Sequence, residues 1–197
     1  MSKIKVTTVS GNLGSRSRTR SLVDAVVDGI AAHIVIGRTD IVVGELGADL
    51  GALTDPAAIP PRVADAIAAI TGADLLVVGT PVYKGSYTGL FKHLIDFVPP
   101  DALIGLPVVL TATGGSARHA LVVEHQLRPL FGFFQAHTVP TGVFALDADF
   151  TDYRLTNPEI AAPPRPPTRR YRLRHWAGSP RAPLPLPPPP PSDPPFP

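Results

Sequence analysis

An α/β fold on a doubly wound, five-stranded parallel sheet is what this sequence predicts. Strand-like apolar runs alternate with helix-like ones through residues 1–162, the pattern of repeated strand–helix units. The clearest run, Asp-Leu-Leu-Val-Val-Gly at residues 74–79, is continuously apolar, as a strand buried on both faces requires. Gly- and hydroxyl-rich loops follow the first, third and fourth runs. Right-handed crossovers leave few topologies for such a chain, and strand order 2-1-3-4-5 is the natural one.

The elements follow in order. Residues 4–9 read as a first buried strand. Residues 19–30 place Leu22, Val23, Val26, Val27 and Ile30 on one helical face. Residues 40–46 form a second, weaker strand. Pro60 and Pro61 open a helix in which Val63, Ile67 and Ile70 recur at helical spacing. Residues 74–79 are the third strand, and residues 87–98 a helix with Phe91, Leu94, Ile95 and Val98 on one face. Residues 106–113 give the fourth strand, 117–134 a helix and 138–146 the fifth strand. Pro129 lacks an N–H, so the helix must be kinked or bulged near residues 125–129. Asn157-Pro158-Glu159 is a helix start, with a cap, a proline at the first position and an acid in the first turn.

Composition divides the chain at residue 163. Most of the 25 prolines lie in residues 163–197, a segment that is net positive, whereas residues 1–162 are net negative. The domain is therefore 1–162. Residues 163–197 read as a Pro/Arg-rich tail, disordered or polyproline II, with the abrupt change expected if a frame shift had replaced a fifth helix. The alkaline isoelectric point belongs to that tail. There are 0 cysteines, so a disulfide framework and a thiol nucleophile are excluded. The N-terminus enters a strand at once, without a signal-peptide core, and no apolar run reaches the roughly 20 residues of a membrane span. A cytoplasmic protein that binds neither nucleic acid nor membrane is expected.

In a doubly wound sheet ligands sit beyond the carboxyl ends of the strands. Three loops meet there. The first is Ser10-Gly-Asn-Leu-Gly-Ser-Arg-Ser-Arg18. It combines exposed N–H groups, the positive end of a helix dipole of about half a charge and forked arginine donors, which together suit an anion such as phosphate. It is neither Gly-x-Gly-x-x-Gly nor followed by Gly-Lys-Ser/Thr, so the dinucleotide fingerprint and the P-loop are both absent. Arg18 and Arg20 read as solvated helix residues beside it. The second loop is Thr80-Pro-Val-Tyr-Lys-Gly-Ser-Tyr-Thr-Gly89 and the third Thr113-Gly-Gly-Ser-Ala-Arg-His119. Pro81 forces Thr80 to an extended conformation, which would aim the backbone groups of residues 82–84 at a ligand edge. Gly114 and Gly115 would let a flat ring approach the backbone. Arg118 and His119 oppose the dipole at a helix start, which favours an anionic neighbour there.

These stretches resemble the NAD(P)H-dependent FMN reductases of the flavodoxin-like superfamily. The similarity is most specific in residues 79–97, 112–131 and 139–145, and it covers about residues 3–160. Thr113-Gly-Gly-Ser-Ala-Arg-His119 followed by Glu124-His-Gln-Leu-Arg-Pro-Leu-Phe131 is similar to the FMN reductases paired with luciferase-like, two-component monooxygenases. The resemblance implies a site by position. Ser10, Ser15, Arg16 and Ser17 would hold the FMN phosphate. Pro81, Val82, Tyr83 and Lys84 would contact the ribityl chain and ring, and Thr113, Gly114, Gly115 and Ser116 would line the ring's other side. No residue is expected as a catalytic acid or base, because hydride transfer from NAD(P)H to flavin N5 rests on alignment. In some members the helix at 117–134 carries a π-type bulge at a subunit interface. His125 therefore reads either as part of a bulge with a role in flavin access or as a hydrogen-bonded histidine at a proline kink. A homodimer or homotetramer through residues 87–98 and 117–134 is implied, as is delivery of reduced FMN to a monooxygenase.

Two rival readings share the sequence pattern. One is a quinone, azo or chromate reductase with tightly held FMN. The other is a non-enzymatic, flavodoxin-like electron carrier, which would be acidic around its flavin, whereas these loops are neutral to basic.

Overall fold

The computed structural model describes residues 3–161, and within them six strands form a parallel sheet in the order β2-β1-β3-β4, with β5 and β6 both beside β4. β1 (Ile4–Ser10), β3 (Leu75–Pro81) and β4 (Pro107–Gly114) are central and almost wholly buried. Their side chains alternate between two cores. Leu76, Val78, Val108 and Leu110 face α2 (Val43–Gly51), α3 (Pro61–Thr71), α4 (Gly89–Asp96) and α5 (Arg128–Phe133). Val6, Leu75, Val77 and Val109 face Val23, Val26 and Val27 of α1 (Arg18–Ala31). Continuous apolar runs were the correct signature for strands covered on both sides. Among the described residues no helix is long and apolar enough to cross a membrane.

The second strand sits earlier than its sequence suggests. β2 is Ile36–Val42, paired in register with β1 from Ile4↔Ile36 to Ser10↔Val42. It is an edge strand, and Arg38, Thr39 and Asp40 at its middle are exposed, so the apolar run is interrupted there. Residues 43–51 are helical instead, because Val43, Leu46 and Leu50 recur at helical spacing and are buried.

The fifth strand is broken in two. β5 (His137–Thr138) pairs with Pro107 and Val108, and β6 (Val143–Leu146) pairs with residues 111–114. Pro140 cannot donate to a ladder, and Gly142 packs so closely that a Cβ would meet Val123 Cγ1 at 2.3 Å. Arg128 donates to the carbonyls of Val139 (3.0 Å) and Pro140 (3.1 Å) and holds the break in place.

The helix expected over 117–134 is composite. A 3₁₀ turn at Ala117–His119 is followed by a π turn at Val123–Leu127 and then by α5. Of the two readings for residues 125–129, the bulge is the one observed. Pro129 thereby falls in the first turn of α5, where a missing N–H is tolerated. A short hairpin, β7 (Phe150–Thr151) and β8 (Arg154–Leu155), follows the sheet and packs near α1, as does α6 (Pro158–Ala161). The hairpin had no counterpart in the sequence reading, and α6 starts where Asn157-Pro158-Glu159 placed it. The tail, residues 163–197, lies outside the described residues.

Candidate functional site

The carboxyl ends of β1, β3 and β4 open into a cavity of about 330 Å³, within the roughly 300–1,000 Å³ range of small-molecule sites. The loop after β1 is tied down from within. Gly11 N–H donates to the carbonyl of Gly79 at 2.7 Å, the Ser10 hydroxyl to Asn12 Oδ1 at 2.5 Å, and Asn12 Nδ2 to the carbonyl of Gly14 at 2.7 Å. The Asn12 carbonyl in turn accepts from Gly44 N–H at 3.0 Å. Ser17 caps α1, its hydroxyl accepting from Arg20 N–H at 3.1 Å. The first turn of α1 carries no acidic residue, so its positive end faces the cavity without an acid of its own helix to offset it.

Two arginines gather at this end. The guanidinium carbons of Arg16 and Arg18 lie 4.5 Å and 5.0 Å from the centre of the Tyr153 ring. Arg18 also faces Asp147 at 3.7 Å. Its Nε is the one buried side-chain nitrogen or oxygen, among the described residues, without a hydrogen-bond partner. A buried donor in that state costs folding free energy unless an acceptor arrives.

The loop after β3 is a tight two-residue turn. Tyr83 and Ser86 exchange backbone hydrogen bonds (2.9 and 3.2 Å), with Lys84 at φ 52° and Gly85 at φ 83° between them. Val82 N–H donates to the carbonyl of Thr113 at 2.8 Å. The N–H groups of Val82 and Tyr83 are thus engaged within the protein. Ser86 Oγ donates to Gln126 Oε1 at 3.1 Å, linking this turn to the π turn.

Of the twelve residues implied by the resemblance, eight line the cavity: Arg16, Ser17, Pro81, Val82, Tyr83, Thr113, Gly114 and Gly115. Ser10, Ser15, Lys84 and Ser116 are not among its lining residues. Ser10 is buried and its hydroxyl turns to Asn12. Ser15 is exposed, Lys84 stands exposed at the tip of its turn, and Ser116 precedes the 3₁₀ turn. His125, Arg118 and His119 also lie outside the lining, the first two exposed. Arg18 is a lining residue rather than a plain solvated one, whereas Arg20 faces Glu45 at 3.7 Å. Sequence reasoning also missed Asn12, Leu13, Gly14, Thr19, Asp147 and Tyr153. The first four sit within or beside the loop already singled out. Asp147 and Tyr153 follow the last sheet strand and carry no local signal.

A parallel sheet in this order, with its cavity at the carboxyl ends of β1, β3 and β4, defines a flavodoxin-like protein. A flavodoxin from the domain Archaea shares the fold at 13% identity and a TM-score of 0.51, covering 80% of this chain and 96% of that one. The family model for the NADPH-dependent FMN reductases matches residues 4–151, and the chain belongs to that family. It is an oxidoreductase that uses FMN and NAD(P)H. The chain is 47% identical over 159 residues to the NADH-dependent FMN reductase SfnF of Pseudomonas fluorescens strain Pf0-1, covering 81% of this chain and 85% of the relative. It is also similar to the crystal structure of an oxidoreductase from Corynebacterium diphtheriae, with 35% identity and a TM-score of 0.69, covering 81% of this chain and 93% of that one.

Proposed function

We propose that the cavity is the FMN site and that the enzyme reduces FMN which enters and leaves, releasing it to a flavin-dependent monooxygenase. The observation that carries the reading is the convergence of Arg16, Arg18 and the acid-free N-terminus of α1 on one cavity. The unpartnered Arg18 Nε fits a group that brings acceptor oxygens, as a phosphate monoester does. In this reading Arg16, Arg18 and Ser17 hold the phosphate, with Ser10 and Ser15 shaping the loop. Pro81, Val82 and Tyr83 form one wall for the ring, Thr113, Gly114 and Gly115 the other, and Lys84 and Ser116 flank them. The chemistry that FMN supplies when bound is acceptance of a hydride at N5 from the reduced nicotinamide. The protein's part is alignment and exclusion of water, and it needs no side-chain acid or base for that transfer.

A cytoplasmic setting, where NAD(P)H and FMN are available, belongs to the same reading, as does a homodimer or homotetramer. Leu121 and Phe133 are 61% and 68% exposed on the composite helix, which supports assembly through residues 117–134. Flavin content and FMN dependence test the exchange of FMN. The purified protein is expected to carry well under one FMN per chain and to oxidise NAD(P)H in proportion to added FMN until saturation. One FMN retained per chain through purification would instead favour a quinone or azo reductase.

A further inference from the structure

Tyr153 sits where a tyrosine is rarely found. It and Asp152 are the two central residues of the β7–β8 turn, at φ 65° and 47°. A bulky side chain in the left-handed region is an outlier that persists only where its surroundings enforce it. Here the Thr151↔Arg154 ladder fixes the turn, and the Ser21 hydroxyl of α1 donates to the Tyr153 carbonyl at 2.5 Å. The strained turn thus docks on α1 and presents one aromatic ring to the cavity.

Both cavity arginines use that ring. Their guanidinium carbons are 4.5 Å (Arg16) and 5.0 Å (Arg18) from its centre, inside the roughly 6 Å range over which a ring face attracts a cation. Two like charges held this close repel each other. The ring face and Asp147, 3.7 Å from Arg18, offset that repulsion before any anion binds. Arg16 is exposed on a loop and would otherwise sample many rotamers, whose loss weakens binding.

We propose that Tyr153 is a positioning residue whose aromatic face preorganises Arg16 and Arg18 at the phosphate end of the cavity. It acts through those two side chains. The proposal rests on the FMN reading above.

The test measures dissociation constants for FMN and riboflavin by flavin fluorescence, together with unfolding temperatures without flavin, in the full chain. Wild type is expected to prefer FMN to riboflavin, and Arg16→Ala to lose that preference. Tyr153→Phe keeps it, because the ring face remains. Tyr153→Leu and Tyr153→Gly weaken FMN binding about fivefold to tenfold and leave riboflavin unchanged. Tyr153→Gly also unfolds at the wild-type temperature or above, since glycine accepts the positive φ without strain. A purely structural role for Tyr153 would lower the unfolding temperature and weaken both flavins together. Retention of the FMN preference in Tyr153→Leu and Tyr153→Gly, alongside its loss in Arg16→Ala, overturns the proposal and leaves the FMN reading standing. Loss of the preference in Tyr153→Phe overturns the proposal as well. Absence of any preference in wild type overturns the phosphate reading, and the proposal with it.

Discussion

The hydroxyls of Thr19 and Thr113 lie 2.6 Å apart, joining the first turn of α1 to the end of β4 beneath the cavity. Both threonines are buried and both line the site. This one hydrogen bond therefore couples the loop that gathers the arginines to the loop that forms a wall. Thr19→Val keeps the shape and strands a buried hydroxyl, which is expected to cost about 1–3 kcal/mol in urea unfolding. The Thr19→Val/Thr113→Val double variant is expected to lose less than the sum of the two singles, because no polar group is left behind. Simple additivity would contradict the coupling.

Arg18 is expected to show a stability–function exchange. Arg18→Met keeps the aliphatic stem and removes a buried donor that has no partner. The exposed ion pair with Asp147 and the contact with the Tyr153 ring that it also removes are each worth at most about 1 kcal/mol. Thermal unfolding without flavin should therefore be unchanged or slightly raised, while affinity for FMN falls and affinity for riboflavin stays. Calorimetric unfolding and flavin titration check the two halves separately.

Gly79 marks how tightly α1 is seated. A Cβ there would meet Val23 Cγ2 at 2.5 Å and Thr111 Oγ1 at 2.7 Å, in the centre of the sheet. Gly79→Ala should destabilise the fold by roughly 1–3 kcal/mol, as overpacking does. A denaturant midpoint equal to wild type would show that α1 can shift away without cost.

Acid sensitivity has a local source in Asp40. Burial works against its charged form, but hydrogen bonds from Thr8 and Arg38 and the Arg38 charge outweigh it and hold the carboxyl below the usual carboxylate range. The folded value lies below the unfolded one of about 3.9. Its stabilisation is thus complete above that pH and lost as pH falls through the folded value. Unfolding midpoints followed downward from about pH 5 should drop less steeply in Asp40→Asn than in wild type.

What the sequence made legible follows from burial. β1, β3 and β4 are covered on both faces, so their apolar runs announced them, and three of the segments that line the cavity follow these strands. β2 was misplaced because an edge strand can carry Arg38, Thr39 and Asp40 on open faces. The break between β5 and β6 follows from Pro140 and Gly142, whose effect depends on Val123 packing across from them. Asp147 and Tyr153 were invisible for a similar reason. Tyr153 reaches the cavity only because the β7–β8 hairpin docks on α1, more than a hundred residues away in the chain, and Asp147 because it stands just past the end of β6, which pairs with Gly114 of β4.

The most direct test of the central claim compares wild type with Gly115→Phe. Gly115 lines the cavity, and a Cβ there would meet only Asp147 Oδ2, at an ordinary 3.6 Å, so a larger side chain can enter the cavity without disturbing the core. The measurement is the initial rate of NADH and NADPH oxidation against added FMN, on protein shown to be folded by circular dichroism. The account predicts a saturable, FMN-dependent rate in wild type and its loss in Gly115→Phe. An undiminished rate in folded Gly115→Phe would contradict it.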